Sequence, residues 1–482
     1  MILGAQTPMV PSGGSSRFVY LHSAKLEGLE PSALYTYSVG DPNCAQPVQA
    51  DSGAKLPCWA GPFKFRAQRA NPMPGEHAPP LKLLAACDIG VSQALALSDL
   101  TAAAQFGEYE ALLHCGDIAY DLDSRDGVSA DEWFQRIQPV AASVPYLVSP
   151  GNHEEQRNFT QFRARFHMPG ASSSGSEGLF WSVDIGPLHL VSYNTEVYFW
   201  PSLFDETHMG LQHDWLDGDL AAAAARRETV PWVMAMGHRP MYCVVSTVDG
   251  RCDAEHEASR RGVPAACRGA GDARSCALLP RADGAPSYSV EELLYRHGVD
   301  MAMFGHIHDY ERYWPVFDSR TRNGTETRFD AYYGPAATVH VTSGAGGNPE
   351  MRLGDEAPPR GPCASPFGAF QSGYNPTGRQ SADFGFTTIS IFNSTHTHIS
   401  QFSSTSGVDI DEFWIVRPDG PPGSAAAVAA AAARGSILGG FGRSNAAATV
   451  VRRARQWDAE LVNRAEEDRR TTRTSIIVRR KQ

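Results

Sequence analysis

The sequence predicts an α/β fold with a strand-rich second half, preceded by a short all-β module and followed by a compositionally distinct tail. Three observations predict it. Short apolar runs alternate with helical patterns over residues 81–304. After Thr338 strands follow one another without intervening helices. Before residue 70 there are strands and turns but no long helical period.

Residues 17–24, 33–39 and 63–66 read as strands of the first module, with apolar and polar side chains alternating through Tyr35, Thr36, Tyr37, Ser38 and Val39. These strands fall short of the roughly seven of an immunoglobulin-like sandwich. Segment 1–70 therefore reads as the back part of one, truncated at its start. A Pro-rich linker, 71–80, follows. The runs 81–87, 109–115, 144–149, 232–236 and 301–304 read as buried strands, since a strand covered on both faces needs an unbroken apolar run. Helical stretches 92–104, 131–142, 213–226 and 289–297 lie among them. Further strands run through Val341, 386–392, 397–402 and 413–416 and close a large region, 81–417. From Pro418 the composition turns to Ala, Gly and Arg, so 418–482 reads as an appendage, with a helical stretch at 449–467.

At 482 residues, 42% of them hydrophobic, the chain has room for one large domain and a smaller module. A net charge of -11 and a pI near 5.8 argue against a nucleic-acid partner, which calls for a basic face. An acidic chain that binds an anion needs locally concentrated positive charge, and bound metal cations supply it. No run approaches the roughly 18 apolar residues of a membrane span. The Ala-rich stretch 425–433 is too short and too weakly hydrophobic, so no stable membrane insertion is expected. Residues 1–10 lack the charged start and apolar run of a signal peptide.

Nine cysteines are unevenly spread. Cys243, Cys252, Cys267 and Cys276 crowd a polar, Gly- and Arg-rich insertion with little core of its own, which suits disulfides in an oxidising compartment. Their spacing lacks paired C-x-x-C, which disfavours zinc. Cys44 and Cys58 are placed to close another loop, whereas Cys87 and Cys115 lie in apolar strands as buried thiols. Acceptor triplets begin at Asn158, Asn323 and Asn393. Together with the cysteine cluster they point to a secretory, vacuolar or lysosomal route.

The chemistry sits just past the apolar strands. Asp88-Ile89-Gly90, Gly116-Asp117-Ile118-Ala119-Tyr120, Gly151-Asn152-His153-Glu154, Gly237-His238 and Gly305-His306-Ile307-His308 each place metal-ligand residue types at a strand end. One instance alone reads as a turn Asp, a capping Asn or a core His. Five in series point instead to one cleft, because α/β folds gather their sites at the carboxyl ends of strands. A dinuclear site needs a bridging carboxylate and oxygen and nitrogen ligands on each ion.

This set resembles the purple acid phosphatases, a branch of the calcineurin-like metallophosphoesterases. The resemblance covers most of 81–416 and includes the strings from Gly305 to Arg312 and from Gly237 to Tyr242. It implies an αββα sandwich with mixed sheets. The strands of 17–67, with His22, Leu26, Leu29, Pro31 and Tyr35, resemble the end of that family's fibronectin-like module. Carried over, Asp88, Asp117, Tyr120 and His308 would hold Fe(III), and Asp117, Asn152, His238 and His306 a divalent Fe, Zn or Mn, with Asp117 as the bridge. Oxygen donors suit the trivalent ion and imidazole and amide the divalent one. Other branches carry a His where this chain has Gly90 and lack a phenol at Tyr120, so the branch implied is the one whose Fe(III)-phenolate gives the purple colour.

The resemblance implies hydrolysis of phosphate monoesters, of small molecules or proteins, by a hydroxide that the ions generate. His153 would bind the phosphate or protonate the leaving oxygen, and His256 resembles a second histidine of that role. Glu154 is expected to orient His153 or a ligand, and Asp309 and Arg312 to be structural. Cys243 and Cys252 are the disulfide pair the resemblance favours. Two alternatives stay open: a related enzyme acting on diesters or nucleotides, and a non-enzymatic chain that keeps the fold. The physiological substrate is not encoded in any pattern of 243–281 or 349–379, and oligomeric state is likewise not legible.

Overall fold

The computed structural model describes residues 2–3, 5–9, 19–41, 58–70, 79–92, 94–170, 176–199, 204, 206–243, 257–262, 288–348, 367–372, 383–417 and 475–480. Its centre is two mixed sheets packed face to face. One carries eight strands in the order Tyr146–Ser149, Ala111–Cys115, Leu81–Ala85, Gly385–Ile391, His396–Ser403, Val408–Val416, Ala331–Tyr333 and Glu326–Arg328. The other carries seven: Trp181–Ile185, Leu188–Ser192, Trp232–Met236, Met301–Phe304, Val339–Ser343, Tyr310–Tyr313 and Gly368–Gln371. Each sheet has a parallel half from the βα repeats, and the antiparallel half of the first is built from late strands. The seam between early and late chain is the antiparallel pairing of Leu81–Ala85 with Gly385–Ile391.

Pleating sorts the side chains between two cores. Leu83, Ala85, Leu113, Leu190, Met234, Met303, Val341, Ile389 and Phe413 meet between the sheets. Leu84, Leu112, Val233, Ala235 and Ala302, from the other faces of the same strands, pack with Leu100, Trp133, Leu216, Leu220 and Leu293 of the helices. Both faces are therefore dry, which is why these strands read as continuous apolar runs.

Before this region, Leu34–Gly40 and Trp59–Arg66 pair antiparallel, and Val19–Ser23 pairs with Ala5–Met9. The far end of the chain joins them. Ser475–Arg480 pairs antiparallel with Leu34–Gly40 on one side and with Ile2–Leu3 on the other. Residues 475–480 thus belong with the first module, which composition does not reveal; the helix expected at 449–467 lies outside the described residues. The module docks through Tyr37, whose hydroxyl donates to Ala142 O at 3.1 Å, and through Arg69 paired with Glu110.

Candidate metal centre

Asp88, Asp117, Asn152, His238 and His306 all lie just beyond the carboxyl ends of parallel strands, where main-chain direction must change sharply. Asp88, Asp117, Tyr120 and His306 make the change with positive φ, between 50° and 67°. Left-handed backbone outside glycine costs about 1–3 kcal/mol per residue and persists where surroundings over-determine it. A two-residue parallel pairing of Ile89 with Ile118 and Gly90 with Ala119 fixes the Asp88 and Asp117 loops side by side. Two glycines allow the close approach. Gly116 has φ +88°, and a Cβ there would lie 2.6 Å from His238 Nδ1; at Gly151 it would lie 2.3 Å from Asp117 Oδ1.

The seven donors converge in two adjoining groups. In the first, the Tyr120 hydroxyl is 2.8 Å from His308 Nε2 and 3.3 Å from Asp88 Oδ1, with His308 Nε2 3.7 Å from that same oxygen. In the second, His238 Nε2 is 3.0 Å from Asn152 Oδ1 and 3.2 Å from Asp117 Oδ1. Asp117, His238 and His306 present ligand atoms within 4.8 Å of one another. The amide of His306 donates to both oxygens of Asp88, at 3.1 and 2.9 Å, and so ties the groups together. His238 Nδ1 lies 2.8 Å from the Cys115 carbonyl, which takes its proton and leaves Nε2 for an ion.

Electrostatics fit a cation here. Burial, and then repulsion from Asp117, pushes the Asp88 carboxyl well above the usual carboxylate range. Burial works the same way on Asp117, but His238, joined by His153 and His306, outweighs it and holds that carboxyl below its ordinary value. Two adjacent buried carboxylates with a phenol and imidazoles around them are a donor set that multivalent cations satisfy.

Around the donors, the structure redistributes the expected supporting roles. Glu154 supports a ligand loop, one of its two expected roles: its oxygens accept the amides of Asp117, Ile118 and Gly151 at 2.9, 2.8 and 2.9 Å. The His153 ring is held by Asp121, whose Oδ1 is 2.7 Å from Nδ1, while Nε2 turns toward Asp117 Oδ2 at 3.8 Å. Burial alone would lower this imidazole, yet Asp121 and then Asp117 prevail and push it up to about 9. Asp121 escaped the sequence reading although it directly follows Tyr120. Arg239 also escaped it, and its NH1 lies 2.9 Å from His306 Nε2. Arg312 is structural, bound through Nε and NH2 to Asp411 at 2.7 and 2.8 Å, and Asp309 accepts from Gln371 Nε2 at 3.1 Å. His256 lies outside the described residues, as do Cys44, Cys252, Cys267 and Cys276. Cys58 and Cys243 are each in a disulfide whose partner lies outside the described residues, and Cys87 and Cys115 are buried free thiols.

Two packed mixed sheets with such donors at their strand tips define a metal-dependent phosphoesterase. The family model for calcineurin-like phosphoesterases matches residues 81–310, and that for the iron/zinc purple acid phosphatase-like protein C matches 337–412. Acid phosphatase type 7 of Homo sapiens is 35% identical over 417 residues, covering 86% of this chain and 81% of the human protein. Purple acid phosphatase 23 of Arabidopsis thaliana is 25% identical, over 75% of this chain and 70% of its own length. The solved structure of a purple acid phosphatase from yellow lupin seeds shares the fold with a TM-score of 0.61 at 20% identity, covering 86% of this chain and 66% of that one. The chain belongs to the purple acid phosphatase family and is a metal-dependent phosphomonoesterase. The two family models match within 81–412, and the described residues of the first module form antiparallel strands.

Proposed function

We propose that the chain hydrolyses phosphate monoesters in acid conditions at a dinuclear Fe(III)–M(II) centre. Asp88, Asp117, Tyr120 and His308 hold the ferric ion, and Asp117, Asn152, His238 and His306 hold divalent Fe, Zn or Mn. The observation that carries this reading is the convergence of those seven side chains from separate loops, with a phenol in the first group and an amide in the second. When bound, the ions supply an attacking hydroxide at acid pH by lowering the pKa of water.

His153 handles the other end of the reaction. Its Nδ1 proton is directed at Asp121, so Nε2 faces the cleft, and the hydrogen bond to Asp121 favours the protonated ring. A protonated imidazole aimed there gives its proton to the leaving oxygen, which turns a poor leaving group into an alcohol. His256 serves as the second phosphate-contacting histidine. Secretion into an oxidising compartment is part of the proposal, supported by the disulfide-bonded Cys58 and Cys243 and by the exposure of Asn158, Asn323 and Asn393. The antiparallel first module keeps its fibronectin-like reading here.

The test is metal analysis and visible spectroscopy of the purified protein, with turnover of an aryl phosphomonoester and of an aryl diester. Iron, a second metal, a visible charge-transfer band and preference for the monoester are expected. A colourless protein that favours the diester would replace this reading with the diesterase one.

A further inference from the structure

A buried arginine is costly unless it is paired. Arg239, 6% exposed, is paired along one edge: its Nε donates to the two oxygens of fully buried Glu196 at 3.1 and 2.9 Å. Thr195 completes the cradle, its hydroxyl donating to Glu196 Oε1 at 2.9 Å and accepting the Arg239 amide at 3.0 Å. The Phe199 ring lies 4.5 Å from the guanidinium carbon. From this mount NH1 reaches Nε2 of His306 at 2.9 Å.

A guanidinium only donates, so the contact uses a lone pair on Nε2. A neutral imidazole has one such pair and carries its proton on the other nitrogen. An ion that takes Nε2 consumes the pair. An ion that takes Nδ1 moves the proton onto Nε2. In both cases NH1 loses its acceptor, so a metal ion and the guanidinium compete for His306 while Glu196 keeps the arginine at the cleft.

We propose that the divalent ion displaces Arg239 from His306 and that the guanidinium then binds a phosphate oxygen of the ester, which makes Arg239 a substrate-binding residue. This rests on the dinuclear reading above. The planar fork of an arginine matches a phosphate, and its charge complements a phosphoryl group.

The test compares the full-length wild type with Arg239→Gln and with Arg239→Gln/Glu196→Gln, which spares Glu196 from being buried without its partner. Two affinities are measured: zinc in the divalent site, by equilibrium dialysis against buffered zinc, and inorganic phosphate on the loaded protein, by calorimetry. Zinc binding tightens about 2- to 10-fold when the competing hydrogen bond is gone. Phosphate binding weakens about 10- to 100-fold when a charged contact is lost. An arginine that merely supports the fold moves both downward together. Unchanged or weaker zinc binding, or unchanged phosphate binding, overturns the inference. A wild type that holds fewer than two ions overturns the dinuclear reading and this inference with it, whereas a two-ion wild type with flat variants overturns this inference alone.

Discussion

Tyr120 sits where one oxygen atom can be tested. In Tyr120→Phe the ring keeps its place near His153, 4.3 Å between centroids, and only the hydroxyl facing Asp88 and His308 is lost. The visible band should vanish while the folded spectrum in the far ultraviolet is retained; a surviving band assigns the colour elsewhere. Asp121 acts through His153. Because Asp121 is the foremost influence raising that imidazole, Asp121→Asn lowers its pKa, and the alkaline limb of the kcat profile moves to lower pH. His153→Ala should cost about 10²- to 10⁴-fold in kcat, more for an alkyl than for an aryl phosphate. Equal losses for both esters would make His153 a binding residue only. At this scale the sequence was readable because residue type carries the signal: Asp, Asn, His and Tyr grouped with Gly just past strand ends are unusual in series. Asp121 and Arg239 carried no such signal, since either alone reads as an ordinary loop charge and only the folded distances give it a partner.

Secondary structure was legible where a run was apolar and short. Trp232–Met236 and Met301–Phe304 have the bounds read from the sequence. The hairpin of Trp181–Ile185 and Leu188–Ser192 was missed, though Gly186 and Pro187 mark its turn. The helix Gln156–Arg165 was missed because its polar residues hide the apolar period. That hairpin bears a pH-sensitive clamp. His189 Nδ1 is 2.7 Å from Asp184 and Nε2 is 2.8 Å from Asp219 on the helix Glu206–Ala224, an arrangement that uses both ring protons. Burial opposes the charge, but the two carboxylates win and raise the pKa above 6.5. A raised folded value means the clamp stabilises fully below the unfolded pKa and is lost as pH rises through the folded one. The melting temperature of wild type should therefore exceed that of His189→Gln at pH 5 and lose this margin as pH climbs past 6.5. A constant margin would show that the clamp does not titrate. Glu154 is the matching device at the metal end. Glu154→Ala leaves three buried amides without partners, so a loss of about 3 kcal/mol or more in urea unfolding is expected, with release of the ions of the proposed centre.

Across the whole molecule, the layers were legible and the strand order was not. Alternation of strands and helices reports burial, which is local, whereas neighbours in a sheet are chosen by contacts that no window of sequence contains. Nothing in Leu81–Ala85 announces that its partner is Gly385–Ile391, and nothing in Ser475–Arg480 announces Leu34–Gly40. The first of these pairings has a consequence for biosynthesis. When a ribosome has delivered the Asp88, Asp117 and Asn152 loops, Leu81–Ala85 still has an open edge, and it stays open until nearly all of the catalytic region has emerged. An apolar strand with unpaired amides is a template for any neighbouring nascent chain, and late closure of a sheet lengthens that exposure. Chains released before Gly385 should consequently be retained by chaperones or aggregate, despite carrying every side chain of the proposed metal centre.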